Sequence, residues 1–518
     1  MKIIVYDATL REGAQSADAT FTLADKIRMA QLLDDFGVDY IEGGLPGNPA
    51  DEQFYAAMQK TPLKHAKLAV FGPTARPNTP PQEDKMIAAL LQAQTQVVCI
   101  FGKAWDFHVT QVLRTTPEEN LRMIDATVRY LVQCGKEVVF DAEHFFDGYK
   151  ANPAYALAAI KTAQNAGAAY ICLCDTNGGC MPQEVQAITA DVMAQNITPL
   201  GIHCHNDAGM AQANTVLAIQ SGCVMAQVTV NGWGERCGNA DLCTLLPNLQ
   251  LKLGYACVPA EKLRAVSHLS RAFYEIANVR FSPFAPYVGQ NAFAHKAGMH
   301  IDAIIKNPLS FEHVSPESVG NMRTLLLSDI AGRSAVWERV KTIAPHITRE
   351  SATMEEIVRI LKQKEAQGYS YAGADASFAL LVQKIVNPYQ PFFHLKDYKV
   401  IESQPSPQNE SASALIRIHV DGEEEVAAAI GNGPVNAIDR AMRRALEKFY
   451  PALSGVRLTD FTVRVLDSKQ ATASHVRVLI ESADANTVWH TIGVSGDVID
   501  ASWIALVDAI EYKLLMLS

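Results

Sequence analysis

The chain has 518 residues, 48% of them hydrophobic and 19% charged, and a formal net charge of −10. That balance supplies ample material for buried cores and no electrostatic footprint for nucleic acid; a smaller anionic ligand must be met by locally placed positive charge. No apolar run approaches the roughly 20 residues of a membrane helix. At roughly 150 residues per domain, the length predicts about three domains. The opening MKIIVYDATLREG reads as a strand and a turn, not as a basic segment before an apolar signal core. All ten cysteines fall between Cys99 and Cys257 without a C-x-x-C pair, which predicts reduced, mostly buried thiols in a cytoplasmic enzyme.

Eight short apolar or β-branched runs follow in order: KIIVYDAT, VDYIEGG, KLAVFGP, VVCIFG, EVVFDAE, YICLCDT, PLGIHCH and AQVTVNG. Near-continuous hydrophobicity marks parallel strands covered on both faces. Amphipathic stretches between them, such as 22–36, 117–134 and 152–166, predict helices. Thr22 and Thr116 suit N-caps, and Pro117, Pro153 and Pro182 suit a first helical turn. Eight strand–helix units in roughly 250 residues have the period of a (β/α)8 TIM barrel. An open doubly wound sheet is the alternative, but it normally carries a Gly-rich phosphate turn after its first strand, and GxGxxG is absent. Polar groups gather at the C-terminal edges of the runs: Asp7, Arg11 and Glu12; Glu42; Asp141 and Glu143; Asp175 and Thr176; His203 and His205; Asn231. In a barrel these edges converge on one mouth, where chemistry is done.

In Gly201-Ile202-His203-Cys204-His205-Asn206-Asp207, His203 and His205 project from one face of a strand and Cys204 from the other. Two such imidazoles hold a divalent ion when a carboxylate joins them; the alternative is a pair of structural histidines. Glu12, in Asp7-Ala8-Thr9-Leu10-Arg11-Glu12-Gly13-Ala14-Gln15, is a carboxylate able to complete the set and leave positions open for a bidentate 2-oxo acid. Arg11 beside it offers a fixed guanidinium to an oxygen developing negative charge. In Asn231-Gly232-Trp233-Gly234-Glu235-Arg236-Cys237-Gly238-Asn239, Asn239 is either an amide ligand to the metal or a helix N-cap.

LREGAQ, HCHNDAG and NGWGERCGN together resemble the 2-isopropylmalate synthase, homocitrate synthase and citramalate synthase family, metal-dependent Claisen-condensing enzymes on a TIM barrel. The resemblance extends along most of the chain. It implies that Glu12, His203, His205 and Asn239 form the metal site, for Mn, Mg or Zn, although many members carry Asp where this chain has Glu12. It also implies that Arg11 is catalytic and substrate-binding, that Glu143 is a catalytic carboxylate and that Thr176 contacts the substrate carboxylate. In the implied reaction acetyl-CoA, as co-substrate, loses a methyl proton, the enolate adds to a 2-oxo acid, and water cleaves the thioester. His300, in Asn291-Ala292-Phe293-Ala294-His295-Lys296-Ala297-Gly298-Met299-His300-Ile301-Asp302, matches a catalytic histidine that usually reaches the partner subunit's site; His295 reads as structural. Phe311 of Phe311-Glu312-His313 stands where relatives often have Tyr, which leaves His313 or a water to supply any hydroxyl function. DAEHFFDGYK and CDTNGGCMP are most similar to the citramalate branch, which implies pyruvate as the 2-oxo acid. The alternatives are a 2-isopropylmalate or homocitrate synthase acting on a larger 2-oxo acid, a lyase of the hydroxymethylglutaryl-CoA type, and an amino-acid sensor with a vestigial barrel.

Beyond the barrel, residues 281–330 are rich in Pro, Gly and Asn with little periodicity, and 333–386 read as three helices. A solvated break, SQPSPQNES at 403–411, follows a boundary placed near 388–396. The last segment repeats: three strand-like runs, GNGP and a helix, then three more, Gly496-Asp497 and a helix. Two βββα halves predict an α+β domain with pseudo-twofold symmetry. GNGP lacks the Lys and Ser/Thr of a phosphate loop. The expected domains are a catalytic barrel over 1–275, a linker over 276–390 contributing to a shared active site, and a regulatory domain over 391–518. The resemblance implies a homodimer and feedback by an end-product amino acid, isoleucine on the citramalate reading; a dimerisation domain without ligand is the alternative.

Overall fold

The computed structural model describes all residues except Asp18, 296–297, 326–332, 403–410, 467–473, 485–486 and Ser518. Most of the predicted break at 403–411 therefore lies outside the described residues. The chain divides into two units, Met1–Ala294 with Glu312–Thr324, and His295–Phe311 with Leu325–Ser518.

In the first unit eight parallel strands close into a barrel in sequence order. They are β1 (Ile4–Asp7), β2 (Tyr40–Glu42), β3 (Lys67–Pro73), β4 (Val97–Lys103), β5 (Glu137–Glu143), β6 (Tyr170–Asp175), β7 (Leu200–Cys204) and β8 (Met225–Val228). Closure pairs Ile4 with Met225 and Asp7 with Val228. The apolar runs are continuous because both faces are covered. Tyr6, Tyr40, Ala69, Val97, Cys99, Val139 and Met225 fill the lumen, while Val5, Ile41, Val98, Val138, Phe140 and Ile202 face the helical ring. Helix starts follow the predicted chemistry. Thr22 and Asp25 form a capping box, Thr116 accepts from the Glu119 amide, and Pro117, Pro153 and Pro182 stand in first turns.

The second unit holds the predicted helices, Arg333–Ile343, Ala352–Ala366 and Asp375–Val386, and the doubled βββα domain. Its two antiparallel three-stranded sheets centre on Ala412–Val420 and Val476–Ala483. The helix Pro434–Glu447 covers the first sheet, and Val498–Leu517 covers the second, through Ile416, Ile418, Ile438, Met442, Ile480, Leu506 and Ile510. Among its described residues the non-periodic stretch 281–330 contains one α-helix, Gly298–Lys306, and two short 3-10 turns, Pro308–Ser310 and Pro316–Val319. Among the described residues no helix is long and apolar enough to cross a membrane.

Candidate active site

The C-terminal ends of the barrel strands bring Arg11, Glu12, Asp141, Glu143, Thr176, His203 and His205 around one cavity of about 180 Å³, with Phe71 and Phe101 on its wall. His203, next to last in β7, is on the lumen side and Cys204, its last residue, is buried in the outer core, as strand alternation requires. His205 follows in a bridge to Asn239, and the two imidazole centroids lie 5.2 Å apart. The turn after β1 folds back onto Ala8 and delivers Glu12, so that ligand atoms of Glu12, His203 and His205 all fall within 4.8 Å of one another.

Burial alone would raise the Glu12 carboxyl, but Arg11, His203 and His205 hold it down at about 2. Burial, reinforced by His203, pushes the His205 imidazole down to about 3. Both groups therefore stand in the deprotonated form a metal ion requires. His203 is oriented by a chain of two hydrogen bonds. Gln227 on β8 donates Nε2–H to Asp141 Oδ1 at 2.7 Å, which leaves its Oε1 to accept from His203 Nδ1 at 2.8 Å. The Nε2 lone pair of His203 then faces the cluster.

Asn239 is not an N-cap; Asp241 takes that position and accepts from the Cys243 amide. Asn239 Nδ2 lies 3.0 Å from His203 Nε2, and its Oδ1 is buried without a partner, as is His205 Nδ1. A Cβ on Gly234 would collide with that Oδ1, and Gly238, at φ +83°, would collide with the Gly232 carbonyl, so the two glycines let the loop close over the site. A half-turn of the Asn239 amide would bring its oxygen beside His203 Nε2. A buried carboxylate, two imidazoles and an orphaned amide oxygen fit a divalent cation.

Arg11 does not stand free beside this set. Its Nε donates to Glu42 Oε1 at 2.5 Å, its Nη1 pairs with Glu12, and Phe71 lies under the guanidinium at 3.8 Å. Burial works against its charge, and Glu42 and Glu12 outweigh it. Glu42 is completely buried and also accepts from the Tyr6 hydroxyl at 2.5 Å. Thr176 Oγ1 accepts the His144 amide N–H at 2.8 Å, which leaves its hydroxyl proton to donate. Glu143 pairs with Lys103 at the rim.

Three of the polar edge residues are structural. Asp7 accepts from the amide and hydroxyl of Thr9, whose oxygen in turn accepts from the Val230 amide. Asp175 accepts from Cys180 N and Asn214 Nδ2. Asn231 exchanges hydrogen bonds with Ser270. Sequence reasoning missed Gln227, Lys103 and Arg236. Arg236 grips Asp207 with two nitrogens at 2.7 and 3.0 Å and donates to the Thr176 carbonyl at 2.7 Å, tying together the loops after β6, β7 and β8. His300 belongs to a short helix that follows the barrel in sequence. It lies exposed on Gly298–Lys306 in the second unit, stacked on Phe311 with centroids 4.1 Å apart. Phe311 thus keeps a ring against His300. His313 packs on Tyr287, and Glu312 holds Arg323 through both oxygens, at 2.6 and 2.7 Å.

A TIM barrel with this cluster at its mouth defines the class. Residues 2–269 match the HMGL-like family model, 287–368 the homocitrate synthase post-HMGL domain-like model and 372–514 the LeuA allosteric (dimerisation) domain model. The chain is 46% identical to an (R)-citramalate synthase of Aquifex aeolicus, over 99% of this chain and 98% of that protein. It is 47% identical to one of Geobacter sulfurreducens, over 98% and 97%. A probable 2-isopropylmalate synthase of Methanopyrus kandleri is 31% identical over 98% of both chains. The chain belongs to the HMGL-like family and, within it, to the family of the (R)-citramalate synthases.

Proposed function

We propose that this chain is an (R)-citramalate synthase, an acyltransferase that condenses acetyl-CoA with pyruvate and hydrolyses the thioester to citramalate and CoA, in the threonine-independent route to isoleucine. The observation that carries the reading is one buried cluster, Glu12, His203, His205 and Arg11, at the mouth of a barrel whose full-length relatives include (R)-citramalate synthases.

Glu12, His203, His205 and Asn239 would hold a Mn, Mg or Zn ion. Bound there, it would supply Lewis-acid polarisation of the 2-oxo acid's keto group. Thr176 donates its free hydroxyl proton to the substrate carboxylate. Arg11, fixed by Glu42, faces the oxygen that becomes an alkoxide when the acetyl enolate adds to the keto carbon. Glu143, held at the rim by Lys103, and His300 of the partner subunit handle the proton leaving the acetyl methyl and the water that cleaves the thioester. A histidine suits that transfer near neutrality.

The domains follow the same reading: catalysis over 1–275, a linker over 276–390 that completes a shared site, and a regulatory, dimerising domain over 391–518 in a cytoplasmic homodimer. Within the second unit a cavity of about 570 Å³ lies between the GNGP turn, the helix it starts and the strand Arg457–Val465, lined by Arg440, Arg457 and Phe461 among others. It offers cationic and apolar walls to the inhibitor, isoleucine. The test is CoA release from acetyl-CoA by enzyme stripped of metal and then reloaded. Metal-dependent release with pyruvate, yielding (R)-citramalate, is expected. Cleavage of an acyl-CoA without condensation would move the chain to the lyases.

A further inference from the structure

We propose that Asp141, which makes no hydrogen bond to the metal cluster among the described residues, decides which nitrogen of His203 is available to a metal ion, by locking the orientation of the Gln227 amide. The inference rests on reading Glu12, His203, His205 and Asn239 as a metal site. Asp141 lies on β5 and Gln227 on β8, strands that are not neighbours in the sheet, so their bond spans the barrel lumen. Both side chains are buried, and Gln227 sits level with His203 in the β7–β8 register.

A glutamine side chain has a donating and an accepting end of nearly equal shape, and nothing in its packing alone chooses between them. Here the choice is made by Asp141 Oδ1, which accepts from Nε2 at 2.7 Å; turning the amide round would set oxygen against oxygen. With Oε1 directed at His203, only the tautomer carrying the proton on Nδ1 forms the 2.8 Å bond. The lone pair is then on Nε2, the nitrogen that faces Asn239. Without Asp141 the reversed amide would donate to Nδ1, place the proton on Nε2 and close that position to a metal ion. Asp141 and Gln227 are thus positioning residues for the ligand imidazole, and Asp141 acts at two removes.

The test measures Mn²⁺ affinity of the full-length, metal-stripped protein by competition with a chelator, with no 2-oxo acid present, so that any substrate contact of Asp141 is silent. Asp141→Leu and Gln227→Met are expected to raise the Kd about 10- to 100-fold, the usual cost of losing a partner behind a ligand histidine. Asp141→Asn, which can donate to Gln227 as well as accept from it, lets the two amides turn together and should bind between wild type and Asp141→Leu. ¹⁵N resonances of His203 in the metal-free protein should report Nδ1–H in wild type and a mixture in Gln227→Met. Folded Asp141→Leu or Gln227→Met binding Mn²⁺ within about twofold of wild type would overturn the inference, as would Asp141→Asn binding as tightly as wild type. Wild-type protein binding neither Mn²⁺ nor Zn²⁺ would instead overturn the metal-site reading on which it rests.

Discussion

Arg11→Met removes the cation shared by two buried carboxylates. Arg11 pairs with Glu12 and Glu42, whose side chains are 5% and 0% exposed. After substitution Glu42 keeps the Tyr6 hydroxyl, and Glu12 keeps the Glu235 amide and the imidazoles. Breaking a buried pair on one side costs about 3–5 kcal/mol. At about 2–4 °C per kcal/mol for a domain near this size, the metal-free variant should melt ~10 °C below wild type. A divalent ion restores positive charge beside Glu12, and at 100 times its Kd adds roughly 3 kcal/mol, so the loaded variant should melt above the metal-free variant. Turnover should not recover, because a lost oxyanion donor costs about 10²–10³-fold. Thermal melts with and without Mn²⁺ and a free-thiol assay separate the two effects. A metal-free melting point within about 3 °C of wild type would refute the charge argument. Turnover within about tenfold would refute the oxyanion role.

Burial lifts the Asp7 carboxyl to about 7, above the roughly 3.9 of an unfolded chain. A carboxyl raised by folding binds its proton more tightly in the folded state, so its penalty is absent below about pH 4 and grows as pH rises to about 7. Asp7→Asn should therefore gain on wild type across that window by up to about 4 kcal/mol, read from melting temperatures; parallel curves would contradict this. Inactive His203→Ala and His300→Ala chains, mixed and reassorted into heterodimers, should regain activity, whereas inactive verified heterodimers would place the whole site within one chain. Arg236→Met should raise the KM for the 2-oxo acid about tenfold, ~1.4 kcal/mol, because it frees the three loops. An unchanged KM would show that the loops hold themselves.

The barrel was legible because strands covered on both faces must be apolar from end to end, and the His203–His205 pair because strand alternation leaves a two-residue spacing no other choice of face. Partnership was less legible. Asp7, Asp175 and Asn231 are the residue types of a site at the edge where a site belongs, yet they tie loops, and only the neighbours brought by folding distinguish the two uses. Gln227 reads as one polar residue in an apolar strand, and its partner Asp141 lies 86 positions away. Arg11 and Glu12 are adjacent in sequence, but that the guanidinium would pair with Glu12 depended on Glu42 arriving from β2. Asn239 fits a cap or a ligand equally until Asp241 is seen to take the cap.

A Claisen condensation on the smallest of the family's 2-oxo acids shows in the ratio of kcat/KM for pyruvate to that for 2-oxoisovalerate. The assay is CoA thiol release at saturating acetyl-CoA, with 2-oxoglutarate as a third substrate. Pyruvate should be preferred by at least ~10-fold, the least a methyl-scale difference in an apolar pocket provides. A preference for either larger acid would contradict it.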